Sequence, residues 1–116
     1  CFTGAMMDAG KEAENCAASF LQKQGLRLVA RNYRCRMGEI DLIMEHAGTL
    51  VFVEVRLRRS EGFGGAAASI TGHKQRKLIH AAEHYLQQQA KQPPCRFDAL
   101  LLDGAKIEWI KDAFSA

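Results

Sequence analysis

The run GEIDLIMEHAGTLVFVEVRLR, from Gly38 to Arg58, constrains this chain more than any other stretch. Two apolar, strand-forming segments flank Ala47-Gly48, so the run predicts a β-hairpin of residues 39–45 and 50–57. Yet Glu39, Asp41, Glu54 and Arg56 interrupt the isoleucines and valines. A buried strand does not tolerate an unpaired charge, so this pattern implies paired charges or a bound ion.

Register sharpens the expectation. A hairpin centred between Ala47 and Gly48 pairs residue 46 with 49 and 43 with 52. It then sets Asp41 opposite Glu54 and Glu39 opposite Arg56, with Ile40, Leu42, Val53 and Val55 on the other face. Two carboxylates that close repel unless a cation or a proton intervenes. Their oxygens suit a hard ion such as Mg²⁺ or Mn²⁺. The alternative is a surface charge ladder, with Glu39–Arg56 as a salt bridge. Spacing alone leaves both open.

The rest of the chain supplies two helices and three more strands. Asp8 reads as the N-cap of a helix running to about Gln24, with Ala13, Cys16, Ala17, Phe20 and Leu21 at helical spacing and Gly25 as its stop. Glu14 borders that helix's apolar face. Leu26, Leu28 and Ala30 alternate with polar and apolar neighbours in a strand running toward Tyr33. Residues 60–70, rich in Gly, Ala and Ser, have no period and read as a loop. A second helix is expected from Thr71 or Gly72 to Gln89, burying Leu78, Ile79, Ala82, Tyr85 and Leu86. FDALLL and KIEWI, separated by the turn signal Asp103-Gly104, complete the set. The order predicts an α/β fold, a mixed central sheet of about five strands flanked by helices, in a single domain over residues 8–116. Cys1 to Ala5 reads as a tag or processing remnant.

Positive charge is clustered in three places: Arg27, Arg31, Arg34 and Arg36; Arg56, Arg58 and Arg59; and His73, Lys74, Arg76 and Lys77. One such cluster is ordinarily a solvated face, but three around one acidic hairpin point to a polyanion such as nucleic acid. The four cysteines have no CxxC spacing and no nearby histidine, which argues against a zinc site, and Cys16 reads as a small core residue. Without an export signal, a reducing cytoplasm is the expected compartment, and no apolar run approaches a membrane span.

GEIDLI, LVFVEVR, SI separated by three residues from Lys74, and RFDALLL together resemble the YraN-like family of small bacterial proteins, over about Gly10 to Phe114. That family is similar to archaeal Holliday-junction resolvases of the restriction-endonuclease-like PD-(D/E)xK superfamily. The resemblance implies a nuclease-like sheet with the acidic hairpin at its catalytic core. Asp41 matches the motif's metal-binding aspartate and Glu54 its second acidic ligand. Glu14 resembles the acidic residue that resolvases contribute from the first helix. Lys74 and Gln75 match more loosely. Arg56 stands where the motif has lysine; arginine keeps its proton, so it can grip a phosphate but not act as a base. Activation of water would then fall to the ion or to Lys74.

These residues imply a Mg²⁺- or Mn²⁺-dependent endonuclease on branched or otherwise structured DNA. Arg31, Arg34, Arg36, Arg58, Arg59, Lys74 and Lys77 would track the backbone. A homodimer stays open, as does a non-catalytic nucleic-acid-binding module on the same scaffold. A third reading is an interaction protein whose acidic hairpin meets a basic partner.

Overall fold

The hairpin lies at the centre of a five-stranded mixed sheet. The computed structural model describes residues 9–57, 71–90, 93–103 and 106–114. In chain order these form α1 (Ala9–Lys23), β1 (Arg27–Cys35), β2 (Gly38–His46), β3 (Thr49–Leu57), α2 (Gly72–Gln87), β4 (Cys95–Asp103) and β5 (Lys106–Phe114). The strands stand in sequence order across the sheet. All neighbours are antiparallel except β3 and β4, which run parallel because α2 lies in the connection between them. This is the α/β architecture expected from the sequence. The expected cap Asp8, the remnant 1–5, the stretch 60–70, Arg58, Arg59 and Gly104 lie outside the described residues.

Each helix covers one face. Ala13, Cys16, Ala17 and Leu21 of α1 pack with Leu42, Met44, Val51, Val53, Leu100 and Leu102. Leu78, Ala81 and Ala82 of α2 pack with Ile40, Ile43, Phe52, Phe97 and Ala99 on the other side. Ile79, Tyr85 and Leu86 are only partly buried, at the margin of this second core. The two small alanines let α2 approach the sheet closely, which matters for the site below.

The hairpin turn joins His46 to Thr49 through Ala47 and Gly48, both at positive φ (54° and 86°). Two left-handed residues define the turn whose twist matches that of the strands it joins. Register from His46↔Thr49 to Leu42↔Val53 is the one expected. Beyond that pair the expectation fails in three respects. The ladder ends there, so Asp41 is not paired opposite Glu54. Glu39 pairs with Arg34 of β1, not with Arg56. Ile40 lies in the α2-side core, whereas Leu42, Val53 and Val55 belong to the α1 side. The expected face of the first strand is also broken: Leu28 packs toward α1 and Ala30 toward α2, because the β1–β2 register shifts between them.

Candidate active site

Glu54 is a strand residue with only 6% of its surface exposed, on the sheet face covered by α2. Two cations compensate it. Lys74 Nζ donates to Glu54 Oε2 at 2.9 Å, and Arg56 Nη1 lies 3.5 Å from the same oxygen. The lysine reaches this position because α2 starts where it does. Thr71 caps the helix, its hydroxyl oxygen accepting from the Lys74 N–H at 3.3 Å, and so fixes the first turn that carries the ammonium.

Asp41 reaches the same place from β2. Its Oδ2 accepts the Val55 backbone N–H at 2.9 Å, so the carboxylate sits where β2 and β3 cease to pair. Burial, then the neighbouring Glu54 carboxylate, push the Asp41 carboxyl up to about 8; the Val55 N–H opposes that shift and Glu14 adds to it. At neutral pH the Asp41 carboxyl therefore favours its protonated form. Among the described residues Asp41 has no cationic partner, whereas Glu54 has two.

A cavity of about 500 Å³ opens beside this pair. Asp41, Glu54, Arg56 and Lys74 line it, and Lys77, Arg34 and Glu39 complete its charged wall. Gly38 lines it too, for a steric reason: a Cβ there would lie 2.8 Å from the Lys77 carbonyl oxygen. Only glycine lets the start of β2 touch the backbone of α2, and that contact sets the height of Lys74 and Lys77 above the strands.

The expected site residues thus divide. Asp41, Glu54, Arg56 and Lys74 share one cavity, with Glu14 of α1 close enough for its charge to act on Asp41. Gln75 is half-buried on α2 and does not line the cavity. Of the expected DNA-contacting residues, Arg34 and Lys77 border the cavity and Arg36 is exposed on the segment joining β1 to β2. Arg31 is set apart from these, hydrogen-bonded to Asn15 of α1.

Two buried carboxylates escape the sequence reading, Glu12 of α1 and Asp98 of β4. Asp98 of β4 is fully buried and accepts four hydrogen bonds, two from Arg96 (2.9 and 3.1 Å), one from Trp109 Nε1 (2.8 Å) and one from the Asp112 N–H (2.9 Å). It sits where the β4–β5 register shifts and Asp112 adopts φ 55°, so it takes the place of the missing strand partner. The signal was present in RFDALLL, where an acid interrupts an apolar strand as Glu54 does. All its capacity is used inside the fold, which makes its role structural.

Residues 13–102 match the model of the uncharacterised protein family UPF0102. A UPF0102 protein of Nitrosomonas europaea is 59% identical over 108 residues, covering 90% of this chain and 92% of the relative. One from Methylobacillus flagellatus is 58% identical over 114 residues, covering 96% of this chain and all of the relative (100%). A third, from Cupriavidus taiwanensis, is 56% identical over 108 residues, with 92% and 82% covered.

Proposed function

The chain belongs to the uncharacterised protein family UPF0102, and from that premise we propose that it is a divalent-metal-dependent endonuclease acting on structured or branched DNA. The observation that carries the reading is the unequal compensation of the two carboxylates. Glu54 is paired with Lys74 and Arg56, while burial and then the Glu54 charge push the Asp41 carboxyl up to about 8. An ion placed there would replace the proton and relieve the repulsion.

The donor set fits Mg²⁺ or Mn²⁺, which take carboxylate oxygens and fill the remaining positions with water and phosphate. Among the described residues no three His, Cys, Asp or Glu side chains converge, so Asp41 and Glu54 would be the protein's two ligands. When bound, such an ion polarises a phosphodiester and eases ionisation of water. The chain's own residues do the rest. Lys74 holds Glu54 in place by a direct hydrogen bond. The Arg56 guanidinium, one-third exposed at the cavity, can pair with a phosphate and stabilise the charge that develops on it. Lys77 and Arg34 extend the positive wall along which a backbone can lie.

A non-catalytic DNA-binding module is the second reading. It is favoured by the same two cations on Glu54, since a carboxylate already neutralised has less to offer a metal. Cleavage of four-way, flapped and linear DNA with added Mn²⁺ separates the two. Loss of cleavage in both Asp41→Asn and Glu54→Ala, with DNA binding retained, supports the nuclease. Salt-dependent binding with no cleavage under any divalent metal moves the protein to the module.

A further inference from the structure

β1 and β2 share a break that ordinary strand geometry does not allow. Side chains along a strand alternate faces, so residues two apart share one. In β2, Leu42 and Met44 face α1 and Ile43 faces α2, which should put Ile40 on the α1 side. It lies on the α2 side instead. In β1, Ala30 faces α2 and Arg31 bonds to Asn15 of α1, yet Tyr33 and Cys35 are again on the α2 side. Each strand therefore loses one step of its alternation.

Both breaks fall at the same rung. Register is continuous on either side, with Arg31↔Leu42 followed by Tyr33↔Ile40, and the intervening residues Asn32 and Asp41 are not paired. Asn32 has φ 51°, the left-handed region that asparagine tolerates better than any residue except glycine. A single left-handed residue rotates the chain about its own axis and so reverses the faces that follow. Because the strands stay in register, β2 must reverse with it, at Asp41.

The consequence reaches the site. In unbroken alternation Asp41 would stand in the row of Ile43, above the sheet. With the reversal it leaves that row, and its carboxylate turns into the gap between β2 and β3 to take the Val55 N–H. A backbone N–H in a strand points within the sheet plane, so its acceptor lies there too. We propose that Asn32 is the positioning residue for Asp41: its left-handed backbone, one strand away and exposed to solvent, is what aims the carboxylate at Val55 and Glu54. Asn32 touches no substrate in this arrangement; it acts through the rung it shares with Asp41.

The test compares Asn32→Gly, which accepts the left-handed region freely, with Asn32→Val, whose branched Cβ opposes it. The readout is hydrogen exchange at the Val55 amide, which reports the Asp41 bond and is independent of metal or activity. Asn32→Val is expected to speed Val55 exchange by about tenfold, the order of one hydrogen bond broken. The Val53 and Leu100 amides should stay protected, and Asn32→Gly should match the parent. If Asn32→Val does not fold, Asn32→Ala takes its place, with a smaller acceleration expected. Unchanged Val55 exchange in a folded Val or Ala variant overturns the proposal, as does equal acceleration in the Gly variant. The functional importance of Asp41 rests on the nuclease reading. Absence of Mn²⁺ binding in the parent would sink that reading and leave this geometry untouched.

Discussion

Lys74 Nζ lies 2.9 Å from Glu54 Oε2, closer than the 3.5 Å of Arg56 on Glu54's own strand. The nearest cation to the buried carboxylate thus comes from a helix 20 residues further along the chain. Lys74→Met should destabilise the fold by about 1–2 kcal/mol, since Arg56 remains and the lysine is partly exposed. Arg56→Ala should leave stability nearly unchanged because the Lys74 pair survives. On the nuclease reading it should lower the cleavage rate by about 100-fold or more. Urea unfolding and single-turnover cleavage check the two halves.

The Asp41 carboxyl sets a pH dependence with a defined sign. In the unfolded chain it titrates near 3.8 and in the fold at about 8. Between those values the folded state binds the extra proton. Its contribution to stability is therefore fully present below about pH 4 and is lost as pH rises through about 8. On the nuclease reading a divalent ion competes with that proton, so the rise in melting temperature on adding Mn²⁺ should grow between about pH 6 and about pH 9. Asp41→Asn should abolish both the pH slope and the Mn²⁺ effect. A flat Mn²⁺ response in the parent across that range would contradict the site.

Gly38→Ala tests the contact between β2 and α2. The added methyl would meet the Lys77 carbonyl oxygen at 2.8 Å, a backbone atom that cannot swing aside. Overpacking of this kind costs about 1–3 kcal/mol. The helix should shift outward and carry Lys74 from Glu54, so Mn²⁺ affinity should change together with stability. A melt that stays at the parent's value would show that the helix gives way freely.

If the proposed DNA binding holds, its salt dependence locates the nucleic acid on the surface. Neutralising Lys74 and Lys77 together should reduce the slope of log K against log salt by roughly 0.9 for each phosphate that no longer meets a cation. Arg31→Ala should leave it unchanged, since Arg31 is engaged with Asn15 on α1. The reverse pattern would put the nucleic acid on the α1 side.

Asp98→Ala should be the most destabilising of these changes, by about 3–5 kcal/mol, because it strands the Arg96 charge and the Trp109 and Asp112 donors around a buried space. Mn²⁺ binding per folded molecule should be unaltered. A selective loss of metal binding with a normal melt would give Asp98 a role in the site instead.

Much of this protein was determined locally. The turn at Ala47-Gly48, the hairpin register as far as Leu42↔Val53, and the cap at Thr71 follow from residues within a few positions of one another. Strand alternation and turn chemistry depend only on such neighbours, which is why the sequence pattern carries the hairpin register as far as Leu42↔Val53 but not to Asp41, whose carboxylate meets the Val55 N–H instead of standing opposite Glu54. The tertiary structure decided the rest. Arg56 and Glu39 were separated because β2 and β3 cease to pair beyond Leu42 and Val53, leaving Glu39 to Arg34. Lys74 was delivered to Glu54 by the packing of α2, which depends on Gly38 having no side chain. Asp98 acquired its four donors from Arg96 and β5. Each of these depends on where a distant segment stops or how closely it packs, and neither periodicity nor propensity carries that distance. Asn32 stands between the two cases: its tolerance of a positive φ is a property of one residue, but the carboxylate it turns lies on the neighbouring strand.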